Sequence, residues 1–178
     1  MGIDTHLITL YYALPLMLQG EKGIVIEMTD GTPEANTEFR QNVGFYYDLV
    51  KANVGRIVKG LAYELADYPV TPLGVTPGWL RSEAMLQNFG VTEQTWQEAC
   101  RTIPGFAISE SPTYVARGIA QLVADPEISR FSGSILSSRQ LAEFYNVTDI
   151  DGSRPDCWGL IAKHGSNCDD VNVISKFR

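Results

Sequence analysis

Basic residues are in short supply: 14 Lys and Arg stand against 21 Asp and Glu, for a net charge of −7. Nucleic-acid binding depends on Lys and Arg replacing condensed counterions, so no nucleic-acid partner is expected. Cysteine is scarce as well. Cys100, Cys157 and Cys168 are odd in number and widely spaced. They form neither a metal-ligand pair nor a disulfide framework, and a reducing compartment, the cytoplasm, is the expectation. Long apolar runs are also missing. Residues 7–18 come nearest, but they follow Asp4 rather than a basic region and are too short to span a bilayer, so a buried helix and no membrane association are expected. The Asn146-Val-Thr148 acceptor pattern, with no secretory signal ahead of it, reads as coincidence. Finally, no Gly-x-Gly-x-x-Gly turn follows any candidate strand, so the usual phosphate cradle of a dinucleotide fold is absent.

What is present is an ordinary globular composition, 44% hydrophobic and 20% charged over 178 residues, enough for one domain with a core. Residues 44–65 read as a long helix, with Val50, Val54, Ile57, Val58, Leu61 and Leu65 at the helical period. Before it, residues 2–19 suggest a mostly apolar helix, disturbed by Pro15 and ended by Gly20. Residues 23–28, Gly-Ile-Val-Ile-Glu-Met, form a β-branched run expected of a buried parallel strand, stopped by Thr29-Asp-Gly-Thr-Pro33. A second buried strand covers residues 70–76, with Pro72 weakening its start and Pro77-Gly78 ending it. Ser111 and Pro112 open a further helix as N-cap and first turn. A third short strand covers residues 132–136. Helix alternating with buried strand implies a parallel α/β sheet of about three strands. The expected organisation is one domain over residues 1–155 and an irregular, poorly packed tail over 156–178.

Within the long helix, Tyr47 and Lys51 are one turn apart on one face. An ammonium beside a phenol stabilises the phenolate and brings the phenol toward the range of a general acid–base.

The order of these pieces resembles the C-terminal half of the short-chain dehydrogenase/reductase family. That order is a strand ending in a hydroxyl residue, a Tyr-x-x-x-Lys helix, a strand ending Pro-Gly, a variable loop, a helix, and a last strand Ser-Gly-x-x-Leu. The match is similar to the subgroup reading Glu-x-Thr-Asp-Gly, here residues 27–31, and Tyr-Asp-Leu-Val-Lys, here 47–51. The resemblance implies a partial Rossmann-like, doubly wound parallel sheet. It implies Tyr47 as acid–base and Lys51 as the group that binds the nicotinamide ribose and lowers the Tyr47 pKa. Tyr46, whose fourth neighbour is Val50, is not the family tyrosine. Pro77 and Gly78 would pass beside the nicotinamide of NAD or NADP, and Ser82 would contact cofactor. Trp79, Leu80 and Met85 would line the pocket for a small carbonyl or alcohol substrate.

Three departures accompany the resemblance. The family's catalytic Ser aligns with Asp30, preceded by Thr29. A carboxylate cannot donate a hydrogen bond to a carbonyl, so Thr29 is the first candidate for the hydroxyl role and Asp30 the second. An anionic Asp30 would also oppose phenolate formation at Tyr47. The relay Asn would fall near Gly2, and the glycine-rich cofactor half is not in the sequence. Two functions are therefore expected: an NAD(P)-dependent oxidoreductase, or an inactive truncated remnant. The remnant would act at most through dimer-type association of the helices at residues 1–19 and 43–66.

Overall fold

The computed structural model describes residues 2–178; Met1 lies outside the described residues. The chain forms two compact units, the first running to Thr76 and including Val123–Leu136, the second comprising Pro77–Leu122 and Ser137–Arg178.

The first unit is built on a three-stranded sheet in the order β1-β2-β3, with β1 at Gly23–Met28, β2 at Val70–Thr76 and β3 at Ile135–Ser137. β1 and β2 are parallel, with Gly23 opposite Val70 and Met28 opposite Val75. β3 joins through Gly74 N–H to the Ser134 carbonyl at 2.8 Å and Gly133 N–H to the Pro72 carbonyl at 2.9 Å. The central strand is the one without a solvated face. From Pro72 to Thr76 every residue of β2 is buried, as a continuous apolar run requires. Pro72 does not break the strand.

Helix α2, Phe45–Glu64, covers this sheet with fully buried Val54 and Val58. Two glycines set the approach of helix and sheet. A Cβ on Gly55 would sit 3.0 Å from Ile135 Cδ1, and one on Gly74 would sit 3.0 Å from Ile135 Cγ1 and 3.4 Å from Val58 Cγ2. Helix α1, Gly2–Met17, runs through Pro15 rather than ending there, and Gly2 lies against Val50 of α2. Leu10 is the buried residue of α1; Tyr11, Tyr12 and Leu16 are at least 70% exposed.

The second unit is helical. α3 is Glu83–Asn88, α4 is Pro112–Ala124, α5 is Ser138–Tyr145, α6 is Cys157–His164 and α7 is Val171–Ile174. Two 3-10 turns, Trp96–Arg101 and Pro104–Ile108, lie between α3 and α4. Trp79, Phe89 and Trp96 all meet the ring of fully buried Phe106 edge to face. α4 and α5 meet where Gly118 faces Leu141, whose Cβ would be 2.8 Å from an added methyl. The capping box of Ser137 and Gln140 starts α5.

The expected irregular tail over 156–178 is corrected here. Asp156 caps α6, Asp170 caps α7, and Cys157, Leu160 and Ile174 form a buried cluster with Ile108. Both helices are too short to display a period, and their burial comes from partners distant in sequence. The expected single domain over 1–155 is replaced by the two units, because residues 77–122 pack with residues 137–178. The hydroxyl of Ser111 does not cap α4 but donates to Asp149. Among the described residues, no helix is long and apolar enough to cross a membrane, and no group of three or more His, Cys, Asp or Glu could hold a metal ion.

Candidate functional site

Tyr47, Lys51, Thr29 and Asp30 all belong to the first unit, where the end of β1 meets the first turns of α2. The helix period places Lys51 one turn beyond Tyr47, and the Lys51 ammonium lies 5.7 Å from the centre of the Tyr47 ring. Among the described residues no carboxylate pairs with Lys51. Buried Thr29 donates its hydroxyl proton to the Lys51 carbonyl at 2.9 Å, which ties the strand end to the helix. A hydroxyl has one proton, so in this arrangement Thr29 fixes the helix rather than offering a donor to a substrate.

The Tyr47 phenol is pushed up to about 12, the reverse of the lowering expected from Lys51. Burial of the phenol is the largest cause. The Asp30 carboxylate follows, acting through its charge and as the acceptor beside the phenol proton, and Arg40 opposes both. The Asp30 carboxylate thus helps to hold the phenol protonated.

Arg40 is the residue that sequence reasoning missed. Its Nη1 lies 3.4 Å from Asp30 Oδ2, and its Nε donates to Asp48 Oδ1 at 3.2 Å. Arg40 therefore clamps the acid at the strand end to the acid on the first turn of α2. It is the only basic residue between Lys22 and Lys51, a sparse signal in a loop without periodicity.

Pro77, Gly78, Ser82, Trp79, Leu80 and Met85 belong to the second unit. Gly78 N–H donates to Glu110 Oε2 at 3.0 Å, and the Pro77 carbonyl accepts from Trp158 Nε1 at 2.8 Å. Ser82 caps α3, its hydroxyl accepting from Met85 N–H at 3.3 Å. Trp79 packs against Phe89 and Phe106, and Met85 packs in the same cluster. Leu80 bridges to Glu110 as an isolated parallel pair. A methyl at Gly78 would sit 2.6 Å from Cys157 Cβ and 2.9 Å from Glu110 Oε2. Gly78→Ala is therefore expected to destabilise the fold by about 1–3 kcal/mol, read from the denaturant midpoint; an unchanged midpoint would contradict this close packing.

A parallel sheet flanked by helices, with Tyr-x-x-x-Lys on the helix packed against it, defines a Rossmann-like α/β protein. The solved structures agree on the fold. An oxidoreductase, yciK from E. coli, superposes with a TM-score of 0.58 at 15% identity, covering 77% of this chain and 49% of that one. YwfH, an NADPH-dependent reductase involved in bacilysin biosynthesis, superposes with a TM-score of 0.59 at 19% identity, covering 76% and 52%. In sequence, the chain is 29% identical over 154 residues to dehydrogenase/reductase SDR family member 1 of Mus musculus, covering 85% of this chain and 47% of the mouse protein. The Homo sapiens protein of the same name is 23% identical over 153 residues. No family model matches. The chain is thus similar, over most of its length, to members of the short-chain dehydrogenase/reductase family, and it spans about half the length of the curated relatives it matches.

Proposed function

We propose that the chain serves NAD(P)-dependent hydride transfer between a small carbonyl compound and its alcohol, with Tyr47 giving a proton to the carbonyl oxygen. The observation that carries this reading is the pair of Tyr47 and Lys51 on one helix face, with no carboxylate paired to the ammonium among the described residues. Such an ammonium is a donor suited to a ribose diol, so the residues present fit a nicotinamide nucleotide. The NADPH dependence of YwfH supports the same cofactor class. The nucleotide, when bound, supplies the hydride. The chain's residues handle the proton. Asp30 keeps the phenol in its acid form, which suits the reductive direction, where an alkoxide must be quenched. Running as a base toward an alcohol needs the phenolate, which burial and Asp30 both disfavour. Thr29 fixes the height of the Lys51 turn, and Arg40 fixes Asp30.

A second reading has its own support. The same Asp30 that holds the phenol protonated is consistent with a chain that does not catalyse and acts through association. Exposed apolar faces of α1 and α2, including Tyr11, Tyr12, Phe45 and Tyr46, would form such a contact between copies.

Binding of NADH or NADPH separates the two readings. In the catalytic reading, either nucleotide quenches the protein's tryptophan fluorescence, and Lys51→Ala weakens that response at least tenfold while also slowing turnover. A chain with no response up to millimolar nucleotide would leave association as the surviving reading.

A further inference from the structure

We propose that Glu110 is a proton-operated latch on the Pro77–Gly78 turn, holding it tightly when ionised and loosely when protonated. The backbone of Glu110 is fastened independently of its charge: its N–H donates to the Trp79 carbonyl at 2.9 Å, and its carbonyl accepts from Arg81 N–H at 2.9 Å. The side chain makes a second, charge-dependent attachment. One oxygen, Oε2, accepts from Gly78 N–H at 3.0 Å and from Ser138 Oγ at 2.6 Å. The other oxygen, Oε1, is buried with no hydrogen-bond partner, and Glu110 has no exposed surface. The Tyr114 hydroxyl, on the first turn of α4, is also buried without a partner.

A carboxylate with one oxygen satisfied and one stranded sits near balance between its two forms. Burial disfavours the ion, and the bonds from Ser138 and Gly78 favour it. Asp149 faces the group and pushes in the same direction as burial, whereas Arg81 pushes against it. Tyr114 is neutral at ordinary pH, its hydroxyl raised by burial and by Glu110 and lowered by Arg139 and Arg154. The balance lies at about 7, so the carboxyl changes charge across neutrality. Above that point Gly78 N–H and Ser138 O–H meet an anion, in short charge-assisted bonds. Below it they meet a neutral acid, a weaker acceptor, and the turn's amide is released.

The latch stands on the geometry of the second unit alone. NMR of the Gly78 backbone amide tests it without any nucleotide. Between about pH 5 and about pH 9 the amide shift is expected to follow a single step centred near 7, to move downfield as pH rises, and to be flat in Glu110→Gln. Ser138→Ala, which removes one bond favouring the ion, is expected to move the step to higher pH. A flat Gly78 amide in the unmodified chain, or a step that persists in Glu110→Gln, would overturn the latch and leave the hydride-transfer reading untouched. If Glu110→Gln does not fold, an unmoved step in Ser138→Ala overturns it equally.

Discussion

Tyr47→Phe is expected to lower carbonyl reduction by about 10²–10⁴-fold in a protein carrying this chain, the usual contribution of a positioned proton donor. Nucleotide affinity is expected to change little, because the ring and the Lys51 ammonium over it are retained. The pH profile adds a sign. The acid form of Tyr47 persists to about 12, so reduction is not expected to lose activity through this group as pH rises past the ordinary phenol value of 10.0. Oxidation of the alcohol, which needs the phenolate, is expected to keep rising over the same range. Asp30→Asn removes the charge that opposes the phenolate, so it is expected to favour oxidation over reduction relative to the unmodified chain. Normal turnover in Tyr47→Phe would refute the assigned role.

The second large effect lies in the second unit, at Arg81. This guanidinium is 2% exposed and uses its whole fork. Its Nε reaches Glu93 Oε1 at 3.0 Å, its Nη1 reaches the Ser109 carbonyl at 2.7 Å, and its Nη2 lies 3.5 Å from Asp149 Oδ2. Its Cζ lies over the Trp96 ring, 4.4 Å from the centroid, and Arg178 Cζ lies 4.7 Å from the same centroid. Asp149 is itself buried and also holds the start of α4 through Ser111 N–H at 2.8 Å. Removing the cation takes the positive charge away from that buried acid, and it leaves the Ser109 carbonyl with Arg178 as its remaining guanidinium donor. Arg81→Ala is therefore expected to cost about 3–5 kcal/mol in equilibrium unfolding. Arg81→Lys is expected to recover part of the loss, since a point charge cannot serve three directions or stack on an indole. A loss below about 1 kcal/mol for Arg81→Ala would show that the network contributes little to stability.

The parts legible in the sequence are those governed by local periodicity. Val54 and Val58 recur at the helix period and are the fully buried residues of α2. The run from Val70 to Thr76 reads as a buried strand because its neighbours on both sides leave it no solvated face. Tyr47 and Lys51 followed from the same helix geometry. What was not legible depends on contacts between distant segments. Arg40 reaches Asp30 across a loop whose path no pattern predicts. Ile174 and Leu160 are buried by Ile108, far away in the chain. The direction of the Tyr47 shift also turned on distant partners. Lys51 is a neighbour that sequence spacing reveals, but burial and Asp30 raise the phenol and Arg40 is the cation that opposes them. Ser82 shows a different limit: a hydroxyl ahead of a short helix is equally a cap and a cofactor contact, and the structure uses it as the cap of α3.

Burial and Asp30 together keep Tyr47 a protonated acid. NMR titration of ring-labelled tyrosine, with Tyr47→Phe to assign the signal, measures this directly and needs no substrate or nucleotide. Tyr47 is expected to ionise at about 12, well above the ordinary 10.0, and Asp30→Asn is expected to bring it down toward that ordinary value. A Tyr47 that ionises at or below 10.0, or one that Asp30→Asn leaves unmoved, would contradict it.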